Sequence, residues 1–470
     1  MNRYKSIIIF SLCLSLLAGA CKKDFLEVID KSKLLREGYV VDLTTTEHYM
    51  NGVYIDIASK FAGVNNLPLP ELVADNIKPT ANLVTGISPT VYRWNVTKEF
   101  DLGTGPWGEN YQIIRSCNYV IEKSDEFKDQ DIDKANNLKG QALTIRAWMH
   151  FVLVNMFAQS YNFTNDASHA GVPYIRTSDV EESIKRVSVA EVYNAISDDL
   201  NKAMELLPAN VTSRQFVNRF CTGALLARVS LFKENYLQAK NFSIQVLNEV
   251  PLMVSNYPSK LYTSTETEAL FQLPPGNSQS ADYNISFLGQ YYANKTSLRF
   301  LATNDIVSLY RSYPGDKRNA WVRDSSIGKV VFKFPKAVTG THATAESDYF
   351  QTLLRSTEMV LTAAESYSKL NMEDSARYFV NQIRSRAGVP VITTSITGSA
   401  LLDSIRLERR KEMAFDGLRM FDLQRWHLPV DRQDALASTF KLLQYPNEKA
   451  IFPIPTPDVD VAGVAQNPGY

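Results

Sequence analysis

The chain has 470 residues, 45 % of them hydrophobic, with 50 basic residues, 50 acidic residues and no formal net charge. That balance excludes the basic footprint of a nucleic-acid-binding protein, and no run of like charge suggests a charged tail. The length suffices for a large buried core and for two or three domains.

Residues 1–20 read as a signal peptide. Arg3 and Lys5 precede an apolar run from Ile7 to Ala18, too short to span a bilayer. Ala18-Gly19-Ala20 then leads to Cys21. Two kinds of processing fit. Ordinary signal peptidase would cut after Ala20 and leave an exposed thiol. A lipobox would instead make Cys21 the acylated first residue, although Ala18 stands where Leu is usual. A free exposed thiol suits an exported protein poorly, so lipidation of Cys21 is the favoured expectation. Residues 21–46 are polar and weakly periodic, as a tether from lipid to body would be. Cys117 and Cys221 lie in apolar helical patterns and read as buried small hydrophobes; a disulfide between them is open but unsupported by spacing. No Cys/His cluster has metal-ligand spacing, and no metal or other cofactor is expected.

Residues 47–250 read as mainly helical. A helix over 47–60 is followed by a Pro-, Gly-, Asn- and Thr-rich stretch over 62–105, expected as loops with short strands. Trp107, Tyr111, Ile114, Asn118 and Ile121 recur at helical spacing. A long helix is expected over 135–159, with Trp148 and Phe151 in its core face. Ser188 and Glu191 form a capping box that opens a helix over 189–207, which carries Tyr193 inward.

Two helix pairs follow, 219–232 with 236–249 and 353–370 with 374–387. Ala227 and Ala239 are twelve apart, as are Ala364 and Ala376, and Pro251 lies a further twelve after Ala239. Small residues at that interval let two helices of a hairpin approach closely, a tetratricopeptide-like pattern. Stable arrays need about three pairs, so the earlier helices are expected to supply the rest. The fold class is therefore mainly α: a tetratricopeptide-like superhelix of helix pairs with minor β. Residues 251–352 form an irregular, loop-rich insertion punctuated by Pro-Gly turns and rich in Tyr. Residues 353–470 hold the second pair, a charged hairpin and a Pro-rich tail.

That hairpin runs from Ile405 to Trp426 and turns at Gly417, where positive φ is expected. Arg409 is expected to reach Glu412 at i+3, and Asp422 to reach Arg425. Glu408 and Glu412 lie one turn apart, but Arg406, Arg409, Arg410 and Lys411 surround them. Neutralised acids of this kind are structural and do not form an acid/base pair.

The hairpin pattern Glu408-Arg409-x-x-Glu412, Asp416-Gly417-x-Arg419 and Asp422-Leu423-x-Arg425-Trp426 resembles the C-terminal signature of the SusD/RagB family. Ile451-Phe452-Pro453-Ile454-Pro455 and Gln466-Asn467-Pro468-Gly469-Tyr470 are similar to that family's closing tail. The resemblance implies a surface-exposed outer-membrane lipoprotein that binds an oligosaccharide and delivers it to a SusC-like TonB-dependent transporter. Peptide-binding members of the same family are the alternative. A protein-interaction scaffold and a cryptic glycosidase rank lower. No nucleophile elbow, zinc-protease motif or nucleotide-binding loop occurs, so no enzymatic role is expected.

Helix aromatics at three-four spacing are committed to the core, whereas loop aromatics are not. The ligand-binding candidates are therefore Tyr92, Trp94, Tyr283, Tyr291, Tyr292 and Trp321, with Lys78 and Asn95 as polar partners. The family resemblance implies that Tyr92, Trp94, Tyr292 and Trp321 form one aromatic arc.

Overall fold

The computed structural model describes residues 36–63, 66–81, 83, 86–98, 105–179, 184–274, 288–293, 298–334 and 349–470. The signal segment, Cys21 and Tyr283 lie outside the described residues.

Among the described residues nine longer helices carry the architecture. They are α1 (Leu43–Asp56), α2 (Pro106–Glu126), α3 (Ile132–Phe157), α4 (Val189–Leu206), α5 (Arg219–Phe232), α6 (Tyr236–Glu249), α7 (Ser356–Lys369), α8 (Glu373–Ala387) and α9 (Gly398–Met413). Helix α1 begins inside the stretch read as tether, because Asp42 caps it in a box with Thr45. The expected capping box at Ser188 and Glu191 is formed at the start of α4.

From α2 to α8, each helix packs on the next. The stacking includes α6 on α7, so the intervening hundred-residue insertion loops out of the superhelix without breaking it. Ala227, Ala239, Ala364 and Ala376 are all fully buried, as close-approach positions require. Trp107 wedges between Tyr111 and Phe157, and Trp148, Phe151 and Tyr193 lie in the core. Cys117 and Cys221 are free and buried, and burial pushes the Cys221 thiol up to about 12. Among the described residues no helix is long and apolar enough to cross a membrane.

The β structure consists of short antiparallel pairs. Strand β1 (Ile77–Pro79) pairs with β3 (Phe300–Ala302), and β2 (Ala269–Leu273) with β6 (Gln351–Arg355). The second pair zips the insertion shut where it leaves and rejoins the helical stack. A hairpin of β4 (Val322–Ser325) and β5 (Gly328–Val331) lies between them in sequence.

The charged hairpin, α9 followed by α10 (Arg419–Arg425), is the hub that binds these parts together. Gly417 takes φ 81°, and a Cβ there would strike the Leu67 carbonyl. The expected Asp422–Arg425 pair is present at 2.9 Å. The expected Arg409–Glu412 contact is not. Arg409 turns instead to Asp422 at 2.8 Å, while Glu412 receives Arg386 at 2.8 Å, Arg355 at 3.2 Å and Arg318 at 3.3 Å. Glu408 pairs with Arg318 at 2.6 Å and Arg384 at 2.9 Å. The partners come from the insertion, β6 and α8, because a fully buried carboxylate needs several donors and its own helix face cannot supply them. Burial alone would raise Glu412, but Arg386, Arg355 and Arg318 outweigh it and hold the carboxyl far below its usual range. It is a fixed anion and unsuited to proton transfer.

Candidate ligand-binding site

The hub also sets the position of β1. Glu71 Oε1 accepts the backbone N–H groups of Gly417 and Leu418 at 3.1 and 3.3 Å. Asp75 receives a bidentate pair from Arg419 at 2.7 and 2.9 Å. Arg410 donates to Asn76 Oδ1 at 3.0 Å. Residues 71–76 are thus clamped to the hairpin, and β1 starts at the next residue.

A second clamp comes from the C-terminal tail. Arg432 is fully buried and donates to the carbonyls of Leu72, Val73, Ala74 and Tyr92 at 2.6–2.8 Å. Its guanidinium carbon lies 4.0 Å from the Tyr92 ring centroid and 4.2 Å from that of Trp94. Burial pulls its pKa down to about 10, which still leaves it charged at neutral pH. Desolvated cation–π contacts of this kind are worth about 2 kcal/mol.

Trp94 is held by this plate. One ring face packs against Arg432, Nε1 donates to the Val73 carbonyl at 3.0 Å, and the side chain is half-buried. Asn95 beside it is exposed. Lys78, in β1 opposite Leu301, forms a 2.8 Å ion pair with Asp434, whose same oxygen accepts the Asn304 N–H. The ladder continues past β1: Thr80 N–H donates to Arg299 O at 2.9 Å, and Arg299 N–H to Tyr291 O at 2.8 Å. The Arg299 guanidinium lies 5.1 Å over the half-buried Tyr291 ring. Trp94, Asn95, Lys78 and Tyr291 therefore remain accessible at elements tied to the β1–β3 ladder.

The other described aromatic candidates are corrected. Tyr92 is fully buried beneath Arg432, with its hydroxyl accepting the Leu436 N–H at 3.3 Å. Tyr292 is fully buried and stacks on Phe334 at 5.6 Å. Trp321 is 2 % exposed, edge-on to Tyr257 and Tyr310, with Lys333 over its ring at 4.9 Å. A ring enclosed on both faces offers no platform, so the expected four-ring arc does not form. Reasoning from the sequence missed Arg432 and Asp434, since nothing near them in the chain marks a charge destined for a distant carbonyl or lysine. Among the described residues no group of three His, Cys, Asp or Glu is placed to hold a metal ion.

Two family models match in tandem. One, described as starch-binding associating with outer membrane, covers residues 24–233; the other, the SusD family model, covers 281–470. The chain belongs to the SusD/RagB family. SusD-like protein P2 of Formosa agariphila is 25 % identical, with all of both chains covered. A SusD superfamily protein from Bacteroides thetaiotaomicron superposes with TM-score 0.81 at 24 % identity, covering 91 % of this chain and 100 % of its own. A laminarin-binding SusD-like protein superposes with TM-score 0.74 at 19 % identity, covering 91 % and 100 %. These likenesses share the helical, tetratricopeptide-like fold.

Proposed function

We propose that this SusD-family protein binds an oligosaccharide nutrient at the Trp94 face and passes it to a SusC-like TonB-dependent transporter, without chemical change to the ligand. The carrying observation is Trp94 itself: an accessible ring fixed on one face by a buried guanidinium and at its edge by a backbone carbonyl. A platform immobilised before binding loses little conformational freedom when a sugar ring packs on it. Exposed Asn95 follows it in the chain, and the Lys78–Asp434 pair and the accessible Tyr291 ring are tied to the β1–β3 ladder. The laminarin-binding relative supports a glycan as the ligand class.

Titration of purified protein against a panel of neutral glycans and of peptides tests this reading. Trp94→Ala is expected to weaken glycan binding by roughly 1–3 kcal/mol, as loss of a stacking ring does elsewhere, with circular dichroism unchanged. Peptides binding where every glycan fails, or a Trp94→Ala variant with full affinity, would remove the proposal.

We also assign Cys21 as the acylated anchor. One acyl chain gives only marginal membrane residence, so stable anchoring needs more than one. Cys21→Ala is expected to release the protein or leave the precursor uncut. A variant that stays processed and membrane-bound would overturn the anchor.

A further inference from the structure

A cleft of about 490 Å³ adjoins the hairpin hub at Arg406, Arg425 and Trp426. It is bounded by the turn Tyr161–Phe163, by the end of α5 and the start of α6, by the end of α7, by α9 and by Trp426. Its lining is charged, and the charges are unevenly matched. Glu365 is consumed by Arg425 at 2.6 and 2.7 Å and by the Trp426 indole at 2.9 Å. Among the described lining residues that leaves Lys233, Lys369 and Arg406 with the carboxylate of Glu234, while Asp198 acts on Lys233 from outside the lining.

These three cations are held by rings. Lys233 lies 6.0 Å over Tyr161, Lys369 5.7 Å over Tyr236, and Arg406 5.2 Å over Trp426. A ring fixes a cation in place without neutralising it. The hydrogen bond from Lys233 goes to a neutral acceptor, Asn194 Oδ1, at 2.9 Å. The ion pair of Arg406 is with solvent-exposed Asp403 at 3.7 Å, a weak contact. Lys233 and Lys369 both sit at helix C-termini, where the dipole favours cations. The dipole explains each lysine singly but not their convergence with Arg406 on one cleft.

A second observation points to a ligand. Among the described residues, Asn162 Oδ1 and Arg406 Nε are both buried atoms without a hydrogen-bond partner, and both residues line the cleft. The amide of Asn162 is oriented by its other atom, which donates to Glu234 at 3.1 Å and to Arg425 O at 3.0 Å. The free oxygen needs a donor such as a hydroxyl, and the free Nε needs an acceptor such as an oxyanion.

We propose that this cleft binds an acidic sugar unit, a uronate or sulfate-ester residue of an anionic oligosaccharide. The oxyanion meets Arg406, Lys369 and Lys233, and a ring hydroxyl donates to Asn162. The proposal rests on the glycan-binding reading above, and adds a charge-selective site distant in sequence from Trp94.

The test is calorimetric titration of the intact mature protein with three probes: an oligogalacturonide, a sulfated oligosaccharide and a neutral oligosaccharide of equal length. At least one acidic probe is expected to bind, with affinity that falls as salt is raised. Arg406→Gln and Lys369→Gln are each expected to weaken that binding roughly tenfold, the scale of one charged hydrogen bond. Lys369 is exposed, so its variant remains informative if Arg406→Gln misfolds. Equal binding of acidic and neutral probes, acidic binding untouched by both variants, or protection by inorganic sulfate alone would each overturn the assignment. Failure here reads on Arg406 and Lys369 with acidic probes, whereas failure of the Trp94 face reads on Trp94 with neutral ones.

Discussion

Glu71 shows how one side chain couples the hub to the candidate site. It is fully buried, and burial, with Asp416 nearby, pushes its carboxyl up to about 7 although Asn76 opposes the shift. The folded pKa lies above the unfolded value, so the native state binds more protons between the two. This contribution to stability is fully present below about 4.5 and is lost as pH rises through about 7. Glu266 behaves alike, raised to about 7 by burial and by Glu268 beside it. Asp75 runs the other way: Arg419 and Arg410 outweigh burial and hold it at about 2, so its contribution is lost only in strong acid. Thermal stability is therefore expected to fall between pH 5 and pH 8, by roughly 3 kcal/mol for each raised glutamate. Melting curves across that window check it, and Glu71→Gln should flatten the slope. A flat wild-type profile would show that neither acid titrates there. The misreading of Tyr92, Tyr292 and Trp321 also belongs to this scale. Loop position shows that a ring is free of a helix stripe, but it carries no information on whether a distant strand covers it.

At the scale of elements, the α9–α10 hairpin takes its energetics from parts of the chain far from it. The helices were legible because their causes are local: apolar residues at three-four spacing, the Ser188–Glu191 box, Gly417 at the turn. The ion pairs were mostly illegible because their causes are not. Of the two i+3 pairs expected, Asp422–Arg425 forms, while Arg409 and Glu412 part to serve different segments. The conclusion that these acids are structural survives with other partners. Glu412 binds Arg318 from the insertion, Arg355 from β6 and Arg386 from α8, and accepts the Tyr257 hydroxyl at 2.9 Å. Removing it leaves three buried guanidiniums short of an acceptor. Glu412→Ala is expected to destabilise the fold by about 3–5 kcal/mol, the usual cost of breaking a buried pair from one side. Arg384→Ala, whose pair with Glu408 lies at the half-exposed end of the network, should cost well under half of that. Urea denaturation of both variants measures the contrast, and equal costs would refute the view that Glu412 is the shared anchor.

For the whole molecule, the helix pairs were visible in the sequence and their stacking was not. The helix pairs and the Tyr-rich insertion could be read from period and composition. That α6 packs directly on α7 across the insertion depends on β2 meeting β6, a pairing of distant strands that no local pattern announces. The outcome is a continuous helical stack from α2 to α8, with the candidate glycan face built apart from it, on the β1–β3 ladder and the tail. The surface expected to carry a large, permanent contact is therefore the stack. We expect that contact to be with the transporter, and a permanent contact of this kind buries on the order of 2,000 Å² or more. Extraction of the native protein in several mild detergents, followed by affinity purification, should recover a β-barrel partner of much greater mass in fixed ratio. An interface of obligate size should also survive high salt, because its core is apolar and screening acts mainly on rim charges. Recovery of this protein alone under all of those detergents would argue that the stack faces solvent or a different protein.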